Sequence, residues 1–281
     1  MDQLSLEQTL QDLPLGAIRY LPQVTSTNDM AAEWTTQGAR NLSLVVADEQ
    51  TAGRGRAGRQ WITPPGGALA ASLIVYPTLA DQNLLPRMTA LGALAVCDAL
   101  RNSYQLPAQI KWPNDILVNR RKLAGILTEA HWTGDSLAAV ILGMGVNVAS
   151  TSVSESVLPA ARLRFPATSV EDELHRPTDR LALLHAILVE FLRWRQRMGH
   201  ADFISAWEKR LAFRGERVQV FQGGSGEQSH TGTLPLLVEG EVAGLTQDGA
   251  LKVTTRSGDV VTVQFGEVRL RPLDAVAGSV E

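Results

Sequence analysis

The sequence predicts an α+β fold: a mixed β-sheet with helices over residues 1–212, then a small β-barrel over 213–281. Three observations predict it. The strand-like runs Gln109–Val118, Arg121–Trp132 and Ser136–Val148 are separated only by Asn119-Arg120 and Thr133-Gly134-Asp135. Breaks that short make antiparallel hairpins, because a parallel crossover needs a dozen residues or more. Two long segments carry apolar residues at helical spacing. Beyond Phe213 the texture changes to short β runs divided by turn formers.

Residues 1–15 read as a short, loosely docked helix. Leu42–Ala47 is β-branched and apolar and suits a buried strand, as does Ala68–Tyr76, which Pro77 ends. Leu84–Asn102 places Met88, Leu91, Ala95 and Ala99 on one helical face. The three hairpin runs follow. Thr178, just after Pro177, is the expected cap of a long helix whose stripe is Leu181, Leu184, Leu188 and Phe191. A shorter helix carries Phe203, Trp207 and Leu211. The barrel strands are expected at Val218–Phe221, Glu241–Thr246, Ala250–Thr255, Val260–Phe265 and near Val268–Leu270, with Gln247-Asp248-Gly249 and Ser257-Gly258-Asp259 as turns. The polar stretch Gly223–His230 reads as a surface loop.

Composition narrows the function. One cysteine cannot make an internal disulfide or a thiolate metal site, and the dispersed histidines lack ligand spacing, so no metal site is expected. A net charge of −3 excludes a general polyanion binder, and no DNA partner is expected. The N-terminus has no secretory or transit signal and no apolar run reaches a membrane span, so a cytoplasmic protein without a membrane partner is expected. Only four of the 26 basic residues are lysines: Lys111, Lys122, Lys209 and Lys252.

The strongest chemical signal is Gly53-Arg54-Gly55-Arg56-Ala57-Gly58-Arg59-Gln60-Trp61. Glycine lets backbone N–H groups approach a ligand, and arginine presents a planar cationic fork to oxyanions. The loop is built for a phosphate, a carboxylate or both, and it has neither the Walker A nor the dinucleotide spacing. In Lys111-Trp112-Pro113-Asn114-Asp115 the proline interrupts a strand, leaving Asn114 and Asp115 either in a plain turn or facing a cleft. Lys122, after Arg120-Arg121, sits at a strand start, either at a solvated hairpin tip or with its ammonium in a pocket. Ser26 and Asp29 have capping-box spacing at the head of a helix, where free N–H groups also suit a ligand. Gly143-Met144-Gly145-Val146-Asn147 ends a strand in a bulge or a close approach.

In this order, Ser26-Thr27-Asn28, the arginine–glycine loop, Lys111–Asp115, Arg121–Leu127 and Gly143–Val148 resemble the biotin protein ligases over about residues 17–272. The resemblance implies a catalytic domain of the class II synthetase-like biotin–lipoate ligase fold and an SH3-like C-terminal domain. It implies an ATP-dependent ligase that forms biotinyl-5′-AMP and transfers biotin to one lysine of a biotin carboxyl carrier protein. ATP arrives with Mg²⁺, biotin is a substrate, no bound prosthetic group is expected, and a homodimer is compatible with the pattern. Ser26, Thr27, Asn28 and Gln50 match residues around the biotin ring. Arg54, Gly55 and Arg56 match the loop over carboxyl and phosphate. Lys122 matches the lysine on the acyl phosphate, Asp115 a carboxylate at the acceptor site, and Gly125 and Asn147 the pocket wall and adenylate side. Arg54, Arg56, Lys122 and Asp115 are therefore the expected catalytic set. Members with a winged helix carry it ahead of the catalytic domain, and with Ser26 so early no repressor role is expected. The expected adenine-covering loop, 149–161, has no aromatic residue. A lipoate ligase of similar fold and a non-catalytic biotin-adenylate binder are the alternatives, and the arginine–glycine loop speaks against the first.

Overall fold

The computed structural model describes residues 1–56, 58–78, 84–153, 166–222, 235–264 and 268–272. The first element, α1 (Gln3–Leu10), is capped by the Asp2 carboxylate, which accepts from Ser5 N–H. It is docked more firmly than its polar sequence predicts, because Leu6 and Leu10 are fully buried and the Gln3 amide bonds the backbone of Ile18 and Tyr20.

The larger sheet contains β1 (Ile18–Val24), β2 (Leu44–Gln50), β3 (Ala68–Val75), β4 (Gln109–Lys111), β5 (Asp115–Val118), β6 (Arg121–Thr133) and β7 (Ser136–Asn147). Their order is β1-β2-β3-β7-β6-β5-β4. The hairpin runs pair antiparallel as expected, with Trp112-Pro113-Asn114 splitting the first run in two. The parallel β1–β2 pair was not legible, since β1 is a half-exposed edge strand containing Pro22 and lacks an apolar run. Helix α2 (Thr27–Thr36) is the crossover between β1 and β2.

Helices α3 (Leu85–Tyr104), α4 (Val170–Leu174), α5 (Arg180–Arg195) and α6 (Ala201–Lys209) complete this part. Leu69, Ala71 and Leu73 of β3, Met144 and Val146 of β7 and Ile126 of β6 share one sheet face, and α3 and α5 cover it. Contact is close at Gly92 of α3, where an added Cβ would lie 3.0 Å from Ile126 Cγ2. Cys97 is buried here, and burial pushes its thiol up to about 12. Asp98 is fully buried and joins α3 to α5 and to the C-terminal end of α6, accepting from Arg193, the Trp194 indole and Arg210. The cap of α5 is Asp179, not Thr178. A carboxylate one residue closer accepts from Leu181 N–H, and the Thr178 hydroxyl is buried without a partner.

The C-terminal sheet holds β8 (Arg217–Gln222), β9 (Leu236–Leu245), β10 (Leu251–Thr254), β11 (Val260–Val263) and β12 (Val268–Pro272), in the order β11-β10-β9-β8-β12. All pairs are antiparallel, and among the described residues β11 and β12 do not meet. The sheet described is therefore open, where the sequence predicts a small β-barrel. The four-residue strands β10 and β11 give too little ladder to carry the twist round to the other edge. The expected loop 223–230 lies outside the described residues, as does most of 149–161. Among the described residues no helix is long and apolar enough to cross a membrane.

Candidate functional site

The face of the larger sheet opposite α3 and α5 has a floor of small residues. The register aligns Asp115, Gly125, Gly145, Ala70 and Ala47 across five strands. The neighbouring row on the same face contains Leu127, Gly143 and Ser72. Missing side chains on adjacent strands leave a shallow groove.

Trp61 lies in that groove. A Cβ on Gly145 would fall 2.5 Å from Trp61 Cε2, and one on Gly125 would fall 3.3 Å from Cζ3, so the indole covers the paired glycines. Its buried N–H has no partner. Lys122 Nζ stands 5.6 Å from the centre of the ring.

Lys122 reaches this face because of a bulge. In a regular strand residues 122 and 125 would point to opposite faces. The ladder pairs Ile116 with Ala124 and Leu117 with Lys122, so Leu123 is the extra residue and the alternation is reset. The Lys122 ammonium then lies 2.6 Å from Asp115 Oδ1, while Lys111 Nζ lies 3.4 Å from Oδ2. Burial alone would raise the Asp115 pKa, but the charges of Lys122 and Lys111 outweigh it and hold the carboxyl well below the usual range. Burial pushes the Lys111 ammonium below its ordinary value against the pull of Asp115. Arg59 adds its charge to both. Arg56 Nη1 donates to Asn114 Oδ1 at 3.4 Å, which brings a further cation beside the pair. Several cations thus face one carboxylate, and the local charge is positive in a chain of net charge −3.

A polar chain runs along the other flank. Gln50 Nε2 donates to Thr63 Oγ1, and Gln50 Oε1 accepts both the N–H and the hydroxyl of Thr27, at 2.8 and 3.0 Å. Ser72 Oγ lies 2.7 Å from Thr27 Oγ1 and 2.6 Å from Asn28 Oδ1. Asn28 Nδ2 donates to Glu129 Oε2 at 2.6 Å. Glu129 in turn accepts from Arg54 Nη2 at 2.9 Å, and Arg54 also pairs with Asp29. Gly53 and Gly143 make this fit possible: a Cβ on Gly53 would collide with the Trp61 carbonyl, and one on Gly143 with the Asn28 amide.

The expected site residues divide accordingly. Lys122, Asp115, Gly125 and Arg56 gather at one end of the groove, and Thr27, Asn28 and Gln50 at the other. Ser26 is buried at the head of α2 but its side chain does not cap the helix, and the Asp29 carboxylate pairs with Arg54 instead of closing a capping box. Arg54 faces carboxylates of its own chain. The Gly55 N–H donates to Arg59 O at 2.6 Å, so the loop satisfies its own backbone here. Asn147 is buried two residues beyond Gly145 and donates to Thr168 O at 3.1 Å. Segment 166–168 also brackets Lys122, whose N–H donates to Pro166 O and whose carbonyl accepts from Thr168.

Sequence reasoning missed Ser72, Glu129, Thr63 and the roles of Lys111, Arg59 and Trp61. Ser72 did leave a signal, as the lone polar side chain of an eight-residue strand that is buried throughout. Glu129 and Thr63 left none. No group of three or more histidine, cysteine or acidic side chains that would hold a metal occurs among the described residues.

The family model for the biotin/lipoate A/B protein ligase family matches residues 20–147. The biotin–[acetyl-CoA-carboxylase] ligase of Paracoccus denitrificans is 36% identical over 203 residues, which is 70% of this chain and 82% of that protein. The bifunctional ligase/repressor BirA of Bacillus spizizenii is 34% identical over 242 residues, covering 85% of this chain and 70% of that protein. The biotin protein ligase of Aquifex aeolicus, solved in complex with biotin and ATP, superposes with a TM-score of 0.73 at 25% identity, over 91% of this chain and 99% of that one. A fold, a register-built groove and relatives of this similarity agree, and the chain belongs to the biotin protein ligase family.

Proposed function

We propose that the chain is an ATP-dependent ligase that converts biotin and ATP to biotinyl-5′-AMP and then transfers biotin to a lysine of a biotin carboxyl carrier protein. The observation that carries the reading is the Lys122 ammonium, anchored on Asp115 beside the Trp61-covered floor at Gly125 and Gly145. In the first step a biotin carboxylate oxygen attacks the α-phosphorus of ATP, and pyrophosphate leaves. Two anions meet, so fixed positive charge lowers the barrier. Lys122 supplies it at the acyl phosphate, Arg56 and Arg59 supply it from the loop, and Mg²⁺ enters with ATP as part of the substrate. In the second step the neutral amine of the carrier lysine attacks the acyl carbon, AMP leaves and a proton is released. Asp115 is a fixed counter-charge that orients Lys122 and the incoming amine, since its carboxylate stays ionised at neutral pH.

Thr27, Asn28 and Gln50, with Ser26 beside them, form the end of the groove suited to the polar biotin ring, and Asn147 lies on the adenylate side. Gly55 belongs to the loop that covers the adenylate and shields the mixed anhydride from water. Arg54 acts in that loop through the carboxylates it holds. Residues 1–212 form the catalytic domain and 213–281 the small domain of SH3-like type, whose strand count and meander favour that assignment despite the open edge. The reading is of a cytoplasmic enzyme without DNA or membrane partners, active alone or as a homodimer.

The deciding experiment incubates the protein with ATP, Mg²⁺, biotin and a carrier domain, and locates the modified lysine by mass. Transfer of one biotin is expected. No transfer while a known ligase is active in parallel would overturn the reading, and preferential pyrophosphate release with lipoate would replace it.

A further inference from the structure

We propose that the C-terminal sheet positions the Asp115–Lys122 pair, with Trp112 and Arg120 as positioning residues at the two ends of β5. The proposal deepens the ligase reading and rests on it only for its catalytic readout.

The pair sits where the larger sheet is weakest. Strand β4 is its edge and has three residues, and the β4–β5 ladder has three pairs. Such a hairpin cannot by itself hold two side chains within the tolerance that a reacting centre requires. The β5–β6 ladder is further interrupted by the bulge beside Lys122. Support comes instead from the chain that leads into and forms the C-terminal sheet.

It touches the meander at three places. Along the outer edge, Ile110 N–H donates to Arg210 O at 2.7 Å and Ile110 O accepts from Ala212 at 2.9 Å, so the linker covers β4. In the turn after β4, Trp112 is 2% exposed and its Nε1 donates to Gly249 O at 3.0 Å. Gly249 belongs to the turn between β9 and β10, and Asp115 follows three residues after Trp112. At the far end of β5, Arg120 has φ of 62° in the tip of the hairpin. Its Nη1 lies 3.0 and 2.9 Å from the two Glu216 oxygens, and its guanidinium carbon lies 4.9 Å from the centre of the Phe213 ring. Lys122 follows two residues after Arg120. Each member of the pair is thus within three residues of a contact from the C-terminal side.

Other contacts also hold the sheet in place. Arg87 donates to Gln247 O at 2.8 Å, and Leu245 N–H donates to Glu208 at 3.1 Å. The Arg120–Glu216 pair is half exposed on both sides, and such pairs add little to stability. Its worth is geometric: it fixes the hairpin tip from which Lys122 departs.

The test uses the full chain with Trp112→Phe, which keeps an aromatic ring and removes the N–H, and with Arg120→Ala and Arg120→Lys. Pyrophosphate release gives kcat and KM for adenylation. Competitive acetylation with acetic anhydride at one pH, followed by mass analysis, gives the reactivity of Lys122 relative to Lys209 without any biotin. Trp112→Phe and Arg120→Ala are each expected to lower kcat about 10-fold, as small misplacements of reacting groups do. The KM for biotin should stay within about 2-fold, since the ring end of the groove is untouched. Lys122 labelling should rise as its contact with Asp115 loosens, while that of exposed Lys209 is unchanged. Arg120→Lys, which keeps a cation against Phe213 and Glu216, should lie between wild type and Arg120→Ala. Unchanged kcat and unchanged Lys122 labelling in both variants would overturn the proposal, and so would equal shifts at Lys122 and Lys209. A wild type that makes no adenylate sinks the ligase reading alone, because the labelling still decides this one.

Discussion

The Lys122 ammonium meets Asp115 Oδ1 at 2.6 Å only because β6 carries a bulge at Leu123. A regular strand, with residues 122 to 125 in unbroken alternation, would send Lys122 into the core face beneath α3. The bulge therefore makes a lysine at a hairpin base into a groove-facing cation, and Asp115 fixes where the cation points.

Lys122→Ala should lower adenylation by about 10²-fold, the usual cost of losing one preorganised charge at a developing anion. Biotin affinity should change by no more than about threefold, because the charge matters most as the acyl phosphate forms. Single-turnover adenylation and equilibrium biotin binding separate the two effects. Equal losses in both would show that Lys122 acts on ground-state binding instead.

Asp115 makes acid stability diagnostic. Its folded-state pKa lies below the unfolded value of about 3.9, so the unfolded chain takes the proton first on acidification. Its contribution is complete at neutral pH and is lost as pH falls below about 4 toward the folded value. The stability gap between wild type and Asp115→Asn should be flat from about pH 7 to 5 and narrow below about pH 4. Urea unfolding at each pH measures it, and a gap that stays constant down to about pH 3 would count against the pairing.

Much of this was legible because the chemistry is local in sequence. The hairpins from 109 to 148 announce themselves by two short turns, and Arg56, Asp115 and Lys122 lie in compact motifs. What escaped depends on register. Glu129 reaches Asn28 and Arg54 from strand positions whose facing is set only when β6 pairs with β7. Trp61 reads as the tryptophan beside a candidate site, but what it covers shows only when Gly125 and Gly145 are seen to be paired beneath it. Arg54 reads as an anion ligand in the sequence, which cannot show that Asp29 and Glu129 also pair with it.

Those two carboxylates should govern the mobility of the loop more than the stability of the fold. Both pairs are partly exposed, so Asp29→Asn with Glu129→Gln should cost no more than about 1 kcal/mol each in urea unfolding. Tryptic cleavage after Arg54, Arg56 and Arg59 should nevertheless be several times faster in the double variant. Biotin with ATP should slow cleavage in wild type by closing the loop. Identical cleavage rates with and without ligands would argue against closure.

The two glycines of β7 should respond differently to the same added methyl group. At Gly145 a Cβ would lie 2.5–2.8 Å from three atoms of the Trp61 ring. That ring is carried by a loop, so it can tilt away, and Gly145→Ala should cost about 1 kcal/mol or less in stability. The tilt closes the groove over Gly125 and brings the ring toward Lys122, so biotin affinity should fall about 10-fold or more, in the range of an overpacked contact of about 1–3 kcal/mol. At Gly143 the added Cβ would meet the Asn28 amide. Asn28 is buried in the first turn of α2 and tied to Ser72 and Glu129, so it has nowhere to go. Gly143→Ala should therefore destabilise the fold by about 1–3 kcal/mol. Calorimetric titration with biotin and urea unfolding of both variants check the contrast. If Gly145→Ala lost stability and kept affinity, the indole would be a fixed part of the core and not a movable wall of the groove.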